Sequence, residues 1–183
     1  MRPVSAHDVA AELRRRVPGI GTVKLHKLLY YCQGHHLADL GEPLFSESVS
    51  AWDMGPVVGA LWKAEKDGTA PEAAAVLDEG QLNTVGYVIS RYGALSGSDL
   101  KKLTHAEAPW IRANNERAAG GRVRIEPAWM ASYFRDEVED PDDPDLVNVN
   151  RGDVAHLVRN AAERAQRPTR RDTRESILAA LDQ

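Results

Sequence analysis

The sequence predicts a mainly α protein: a compact helical domain with a small two-stranded β element, followed by a C-terminal helical extension. Three observations carry this. Apolar residues recur three and four apart in segment after segment, the spacing of a helix face. Capping residues stand where those segments begin, as at Ser5, Asp78 and Ser96. Strict alternation appears at one stretch near residues 45–52, with a shorter candidate at Val123 and Ile125.

Taken in order, Ser5 with Asp8 resembles a capping box, and Val9, Leu13 and Val17 follow on one face. Pro18-Gly19 stops that helix. Thr22 is expected to cap the next, whose stripe is Leu25, Leu28, Leu29, Cys32 and His36. Tyr30, Gly34 and Leu37 add a second apolar side, so this helix is expected to be central and buried. Gly34 costs about 1 kcal/mol against alanine in a helix interior. Such a cost points to close approach by a neighbour. Gly41-Glu42-Pro43 closes the helix.

Phe45, Glu47, Val49 and Ala51 alternate with Ser46, Ser48, Ser50 and Trp52, which predicts a strand. Gly55-Pro56 is then expected to open a helix with Val57, Val58, Leu61 and Trp62 on its face. Residues 67–75 read as a loop. Asp78 caps a helix ending near Gly93, and Ser96 with Asp99 caps another through Leu100 and Leu103. Residues 104–110 read as a turn into a helix that starts at Pro109. After the Val123–Ile125 strand, Glu126-Pro127 opens a last body helix with Trp129, Met130, Tyr133 and Phe134.

Charge divides the chain. Residues 1–138 hold 16 basic and 17 acidic side chains, and residues 139–183 hold 7 and 10. The expected organisation is a helical domain over 1–138, an acidic linker over 139–145 and an extension over 146–183. The linker sets two prolines among five acids, which suits neither a helix interior nor a sheet. Beyond it, Val154, Leu157, Val158 and Ala161 form one narrow helical stripe, and Ile177, Leu178 and Leu181 form another. Helices this short are marginal alone in water, so each needs something to dock on.

Composition narrows the chemistry. With 183 residues, 43% apolar and 27% charged, the chain can bury about 70% of its unfolded surface without staples. A net charge of −4 argues against a surface built throughout for nucleic acid. The single cysteine, Cys32, rules out an internal disulfide framework and reads as an inert buried thiol. No apolar run reaches the roughly 20 residues of a membrane span, and the first residues lack a signal-peptide core. A cytoplasmic location is the plain expectation, with no membrane partner.

None of the common catalytic motifs is present: no GxGxxG, GxxxxGK[ST], GxSxG or HExxH. No two histidines stand four apart, which removes the paired-imidazole zinc pattern. His105 and Glu107 could reach one metal from a turn, but a histidine bonded to backbone there is the blander reading. No catalytic residue, no metal and no cofactor is expected. Two aromatic corners stand out instead: Trp52-Asp53-Met54 before Gly55-Pro56, and His105 with Trp110 across Pro109. A tryptophan beside proline is either a core plug, the commoner use, or a binding anchor. These five residues, with Leu157, Ile177, Leu178 and Leu181 of the extension, are the candidate partner-binding set. Arg164, Arg167, Arg170, Arg171 and Arg174 form the alternative nucleic-acid site, although the run has no aromatic residue for stacking.

Two stretches are more specific. Lys24-Leu25-His26-Lys27-Leu28-Leu29-Tyr30-Tyr31, with Gly34 and Leu37, resembles the KLxKLLYYxxGxxL opening of the Panacea domain family, the phage-associated SocA-like antitoxins. The resemblance continues through Pro43-Leu44-Phe45, Ala51-Trp52, Gly55-Pro56-Val57, Leu103-Thr104-His105 and Pro109-Trp110, to Ile125 and Tyr133-Phe134. It covers residues 22–135. It implies a compact helical domain that neutralises a small toxin, encoded beside it, by direct protein binding and without catalysis. In such a family, delivery of the toxin to an AAA+ protease is the alternative. Autoregulation of the operon through the arginine run is a further one, and self-association is left open. Phage defence is the implied setting. The resemblance carries over no agreed catalytic residues.

Overall fold

The computed structural model describes residues 3–71 and 75–139. These hold seven helices: α1 (Ala6–Arg16), α2 (Thr22–Leu40), α3 (Gly59–Lys66), α4 (Glu79–Tyr92), α5 (Gly97–Ala106), α6 (Ala108–Asn115) and α7 (Pro127–Glu139). Three strands complete the fold: β1 (Val49–Trp52), β2 (Gly55–Val58) and β3 (Val123–Arg124). The protein is mainly α, as the periodicity predicts.

The predicted stops and starts rest on local hydrogen bonds. Ser5–Asp8, Asp78–Gln81 and Ser96–Asp99 each form a reciprocal capping box, satisfying helix N–H groups that have no partner within the helix. Gly41 ends α2 at φ 72, a left-handed position that suits glycine. One expected cap is displaced. Gly21 is the N-cap of α2 and Thr22 its first helical residue, with no side-chain cap.

The β element is larger than expected and differently placed. It is a three-stranded antiparallel sheet in the order β2-β1-β3, where the sequence predicts two strands. The Gly55-Pro56-Val57-Val58 segment is a strand and not the start of a helix; it pairs Val49 with Val58 and Trp52 with Gly55. Proline fits there because β2 is an edge strand. Asp53-Met54 is the hairpin turn, and the positive φ of 97 falls on Gly55. Pairing of β1 begins only at Val49. Upstream, Leu44 and Phe45 leave the sheet because the Gln33 side chain takes their backbone: Oε1 accepts from both N–H groups at 3.0 and 3.1 Å, and Nε2 donates to Phe45 O at 3.1 Å.

Helix α2 is the axis of the domain. Every residue from Leu25 to Leu37 is buried, which is the two-sided burial the sequence predicts. Helices α1, α4, α5 and α7 and strand β2 all pack against it. Gly34 lies where α7 crosses, and a Cβ at that position would overlap the ring of the fully buried Phe134. Tyr30 and Tyr31 meet the same ring edge-on at 5.6 and 5.9 Å. The glycine is the α2 side of a close helix crossing.

This contact sets an expectation for Gly34→Ala. Alanine gains about 1 kcal/mol of helix propensity, but overpacking a buried ring costs about 1–3 kcal/mol. Urea unfolding should show a net loss, and adding Phe134→Leu should recover part of it. A single substitution that stabilises the protein would contradict the packing described.

Candidate functional site

The polar residues buried on α2 explain why its sequence carries charge inside an apolar helix. Lys24 Nζ donates to Gly93 O at 2.6 Å, and Lys27 Nζ donates to Pro56 O at 3.0 Å. His26 Nδ1 accepts the Val58 N–H at 3.3 Å, and Tyr31 donates its hydroxyl to Glu107 Oε1 at 2.7 Å. Each bond fastens a flanking segment to the axis. Lys27 is 1% exposed. Its ammonium is held down to about 7, chiefly by burial and then by Lys101. Burial likewise lowers His26 to about 4, with Lys27 adding repulsion, and His35 to about 3.

Gly55 roofs this buried amine. A Cβ there would stand 2.6 Å from Lys27 Cε and 3.0 Å from Thr104 Oγ1, so no larger residue fits without displacing them. Thr104 and His105 belong to the last turn of α5. The predicted turn over residues 104–110 is thereby reduced to one hinge residue, Glu107, extended at ψ 136 between α5 and α6.

The candidate residues divide into a floor and a rim. Trp110 is 8% exposed, and its ring stacks on His105 at 3.9 Å and 10°. Trp52 is half-buried at the end of β1 and meets Trp62 edge-on at 5.2 Å. The indole N–H groups of both tryptophans, and Nε2 of His105, are buried without a hydrogen-bond partner. The hairpin tip is open: the Asp53 side chain is 71% exposed and Met54 49%. Lys101 Nζ lies 3.3 Å from Met54 Sδ.

Arg117, absent from the predicted set, joins this corner together. Its guanidinium donates to Asn114 Oδ1, to Gly121 O at 3.0 Å and to Asp53 Oδ1. The hairpin tip is thus tied to the Gly120-Gly121 turn. Between them lies a groove of about 380 Å³ lined by Trp52, Asp53, Met54, Gly120, Gly121 and Arg122. Burial, and then the charges of Lys101, Lys27 and Arg117, hold the His105 imidazole below its ordinary range. The sequence signal for Arg117 was slight, since an arginine before a Gly-Gly turn looks solvated. Lys27 had a clearer one: a lysine within the run from Leu25 to Leu37 that forms the middle of an apolar helix.

His105 and Glu107, weighed as metal ligands, engage different partners, one stacked on Trp110 and the other bonded to Tyr31. Among the described residues no group of three or more histidine, cysteine, aspartate or glutamate side chains could hold a metal. Cys32 is fully buried, and burial pushes its thiol well up. No described helix is long and apolar enough to cross a membrane. Leu157, Ile177, Leu178 and Leu181, the five arginines from Arg164 to Arg174, the remainder of the acidic linker beyond Glu139 and the extension lie outside the described residues.

Lys27 gives the protein a specific pH response. Its folded value lies below the ordinary 10.5, so the folded state binds fewer protons than the unfolded one between about 7 and 10.5. Stability from this group rises with pH across that window and is lowest below it. His26 and His35 act lower, removing stability as pH falls from 6.5 toward 4 and 3. Urea midpoints of the wild type relative to Lys27→Met should therefore improve between pH 6.5 and 10. A difference that stays flat across that range would exclude a buried, titrating amine.

No curated protein and no solved structure matches the chain. A family model does: Antitoxin SocA-like, Panacea domain, over residues 25–111. The match begins at the first buried residue of α2 and ends within α6, short of Ile125 and Tyr133-Phe134. It takes in the α2 axis, the β1–β2 hairpin, Gly55 over Lys27 and the Glu107 hinge, so this stretch of the chain is similar to the Panacea domain of SocA-like antitoxins.

Proposed function

We propose that the protein is an antitoxin that neutralises a small toxin by direct binding, and that the β1–β2 corner is the contact surface. The Panacea match supports the antitoxin role. It suggests a non-enzymatic protein acting on a toxin partner. The contact surface rests on a separate observation: Arg117 holds two turns in place around a groove that has half-exposed Met54 at its rim and Trp52 in its wall. An aromatic and a methionine beside a preformed groove form the kind of anchor that dominates protein interfaces.

The chemistry of the rim describes the partner. Met54 and Trp52 call for an apolar side chain. Lys101 and Arg122 stand beside them, and Asp53 is already neutralised by Arg117. The complementary toxin surface is therefore an apolar knob with acidic neighbours. Trp110 is buried and stacks on the half-buried His105, and neither lines the groove. The last part of the extension, with Ile177, Leu178 and Leu181, is a second contact in this reading, one that adds specificity.

The test is co-expression with the product of the adjacent reading frame. That product should be harmful alone and harmless with this protein. Met54→Asp and Arg122→Glu, both at the rim, should each weaken binding at least about tenfold with an unchanged melting temperature. A neighbour that is harmless alone, or that kills in the presence of the folded protein, removes the antitoxin reading. Full binding by both variants removes the corner and leaves the antitoxin role standing. A toxin whose half-life falls sharply in the presence of this protein would show delivery to a protease in place of simple masking.

A further inference from the structure

A second groove lies on another part of the domain, between the C-terminal half of α2, the start of α4 and the end of α7. Its volume is about 610 Å³, and its lining includes Ala38, Asp39, Leu40, Thr84, Tyr87 and Arg135. Leu40 and Tyr87 are each 45% exposed, and they are two of the six large apolar residues that the described surface shows. The floor is rigid. His35 bonds Tyr92 at 3.1 Å, His36 bonds Thr84 at 2.9 Å, and the Tyr87 ring meets His35 edge-on at 4.9 Å. The groove is thus preformed and apolar at its centre, with one charge of each sign, Asp39 and Arg135, in its lining.

We propose that this groove seats residues 151–165 of the same chain. Arg135, which lines the groove, stands one turn before Glu139, where the described chain ends. Residues 140–150 span at most about 36 Å when extended, ample for the chain to double back. The stretch that follows carries Val154, Leu157, Val158 and Ala161 at helical spacing, with Arg151, Asp153, Arg159, Glu163 and Arg164 outside that stripe. The segment thus offers charges of both signs to the groove: an arginine for Asp39 and an acid for Arg135. A tether of this length holds its segment at an effective concentration of about millimolar, which favours it over a free partner of similar affinity. Docking also gives a stripe too short to be a stable helix alone the partner it needs. The inference does not depend on the antitoxin reading.

Hydrogen exchange on the full chain tests this. Amides of residues 151–165 should exchange at least about tenfold slower than an unstructured chain, independently of protein concentration. Leu40→Asp should abolish that protection while the amides of the α2 axis keep theirs. Leu157→Asp, which leaves the domain untouched, should do the same and should speed exchange around Gly80–Tyr87. Unprotected amides in the wild type overturn the proposal, as does protection that survives Leu40→Asp. Protection that grows with concentration overturns it in favour of a second copy of the chain.

Discussion

Desolvation of α2 from Leu25 to Leu37 is the constraint from which the rest of the structure follows. A helix surrounded by α1, α4, α5, α7 and β2 removes water from every backbone group that faces it. A buried carbonyl or amide left unpaired costs on the order of 1–3 kcal/mol. The axis therefore supplies partners from its own side chains. Lys24 and Lys27 donate to carbonyls, His26 accepts an amide, and Gln33 uses one acceptor and one donor to replace a strand neighbour for Leu44 and Phe45. Lys27 is the costly member, because its charge is buried without a carboxylate bonded to it. That cost registers as the lowered proton affinity of the amine.

Local signals carried most of the helical architecture. Capping boxes and glycine stops act within four residues, and they are readable for that reason. The buried central helix was legible from Tyr30, Gly34 and Leu37 standing opposite the main stripe. The errors lie where distant groups decide. Gly55-Pro56 follows the rule for a helix start, yet β1 recruits it as an edge strand, and Lys27 takes the free Pro56 carbonyl. The alternation over 45–52 extends further than the pairing because Gln33, on a different element, captures its first residues. β3 joins the sheet through only two residues, too few for a period to show.

The candidate contact surface was half legible. Trp52, Asp53, Met54, His105 and Trp110 could be picked out as aromatic corners, and they do lie on the elements that build one side of the domain. Their division into floor and rim depends on burial, which is a tertiary property. Arg117 is the clearest omission. Its importance comes from reaching Asp53, 64 residues away in sequence, and no local pattern reports such a distance.

The tie made by Arg117 joins one turn at a backbone carbonyl and the other at a carboxylate, while the groove between them is faced by residues that take no part in the axis. Shape and chemistry are thereby assigned to different positions. Residues such as Met54 and Arg122 are free to drift, or to be redesigned, without disturbing the buried amine, the tyrosine ring cluster or the hinge. Under the antitoxin proposal, the same scaffold would accept a different partner once a few surface side chains were exchanged.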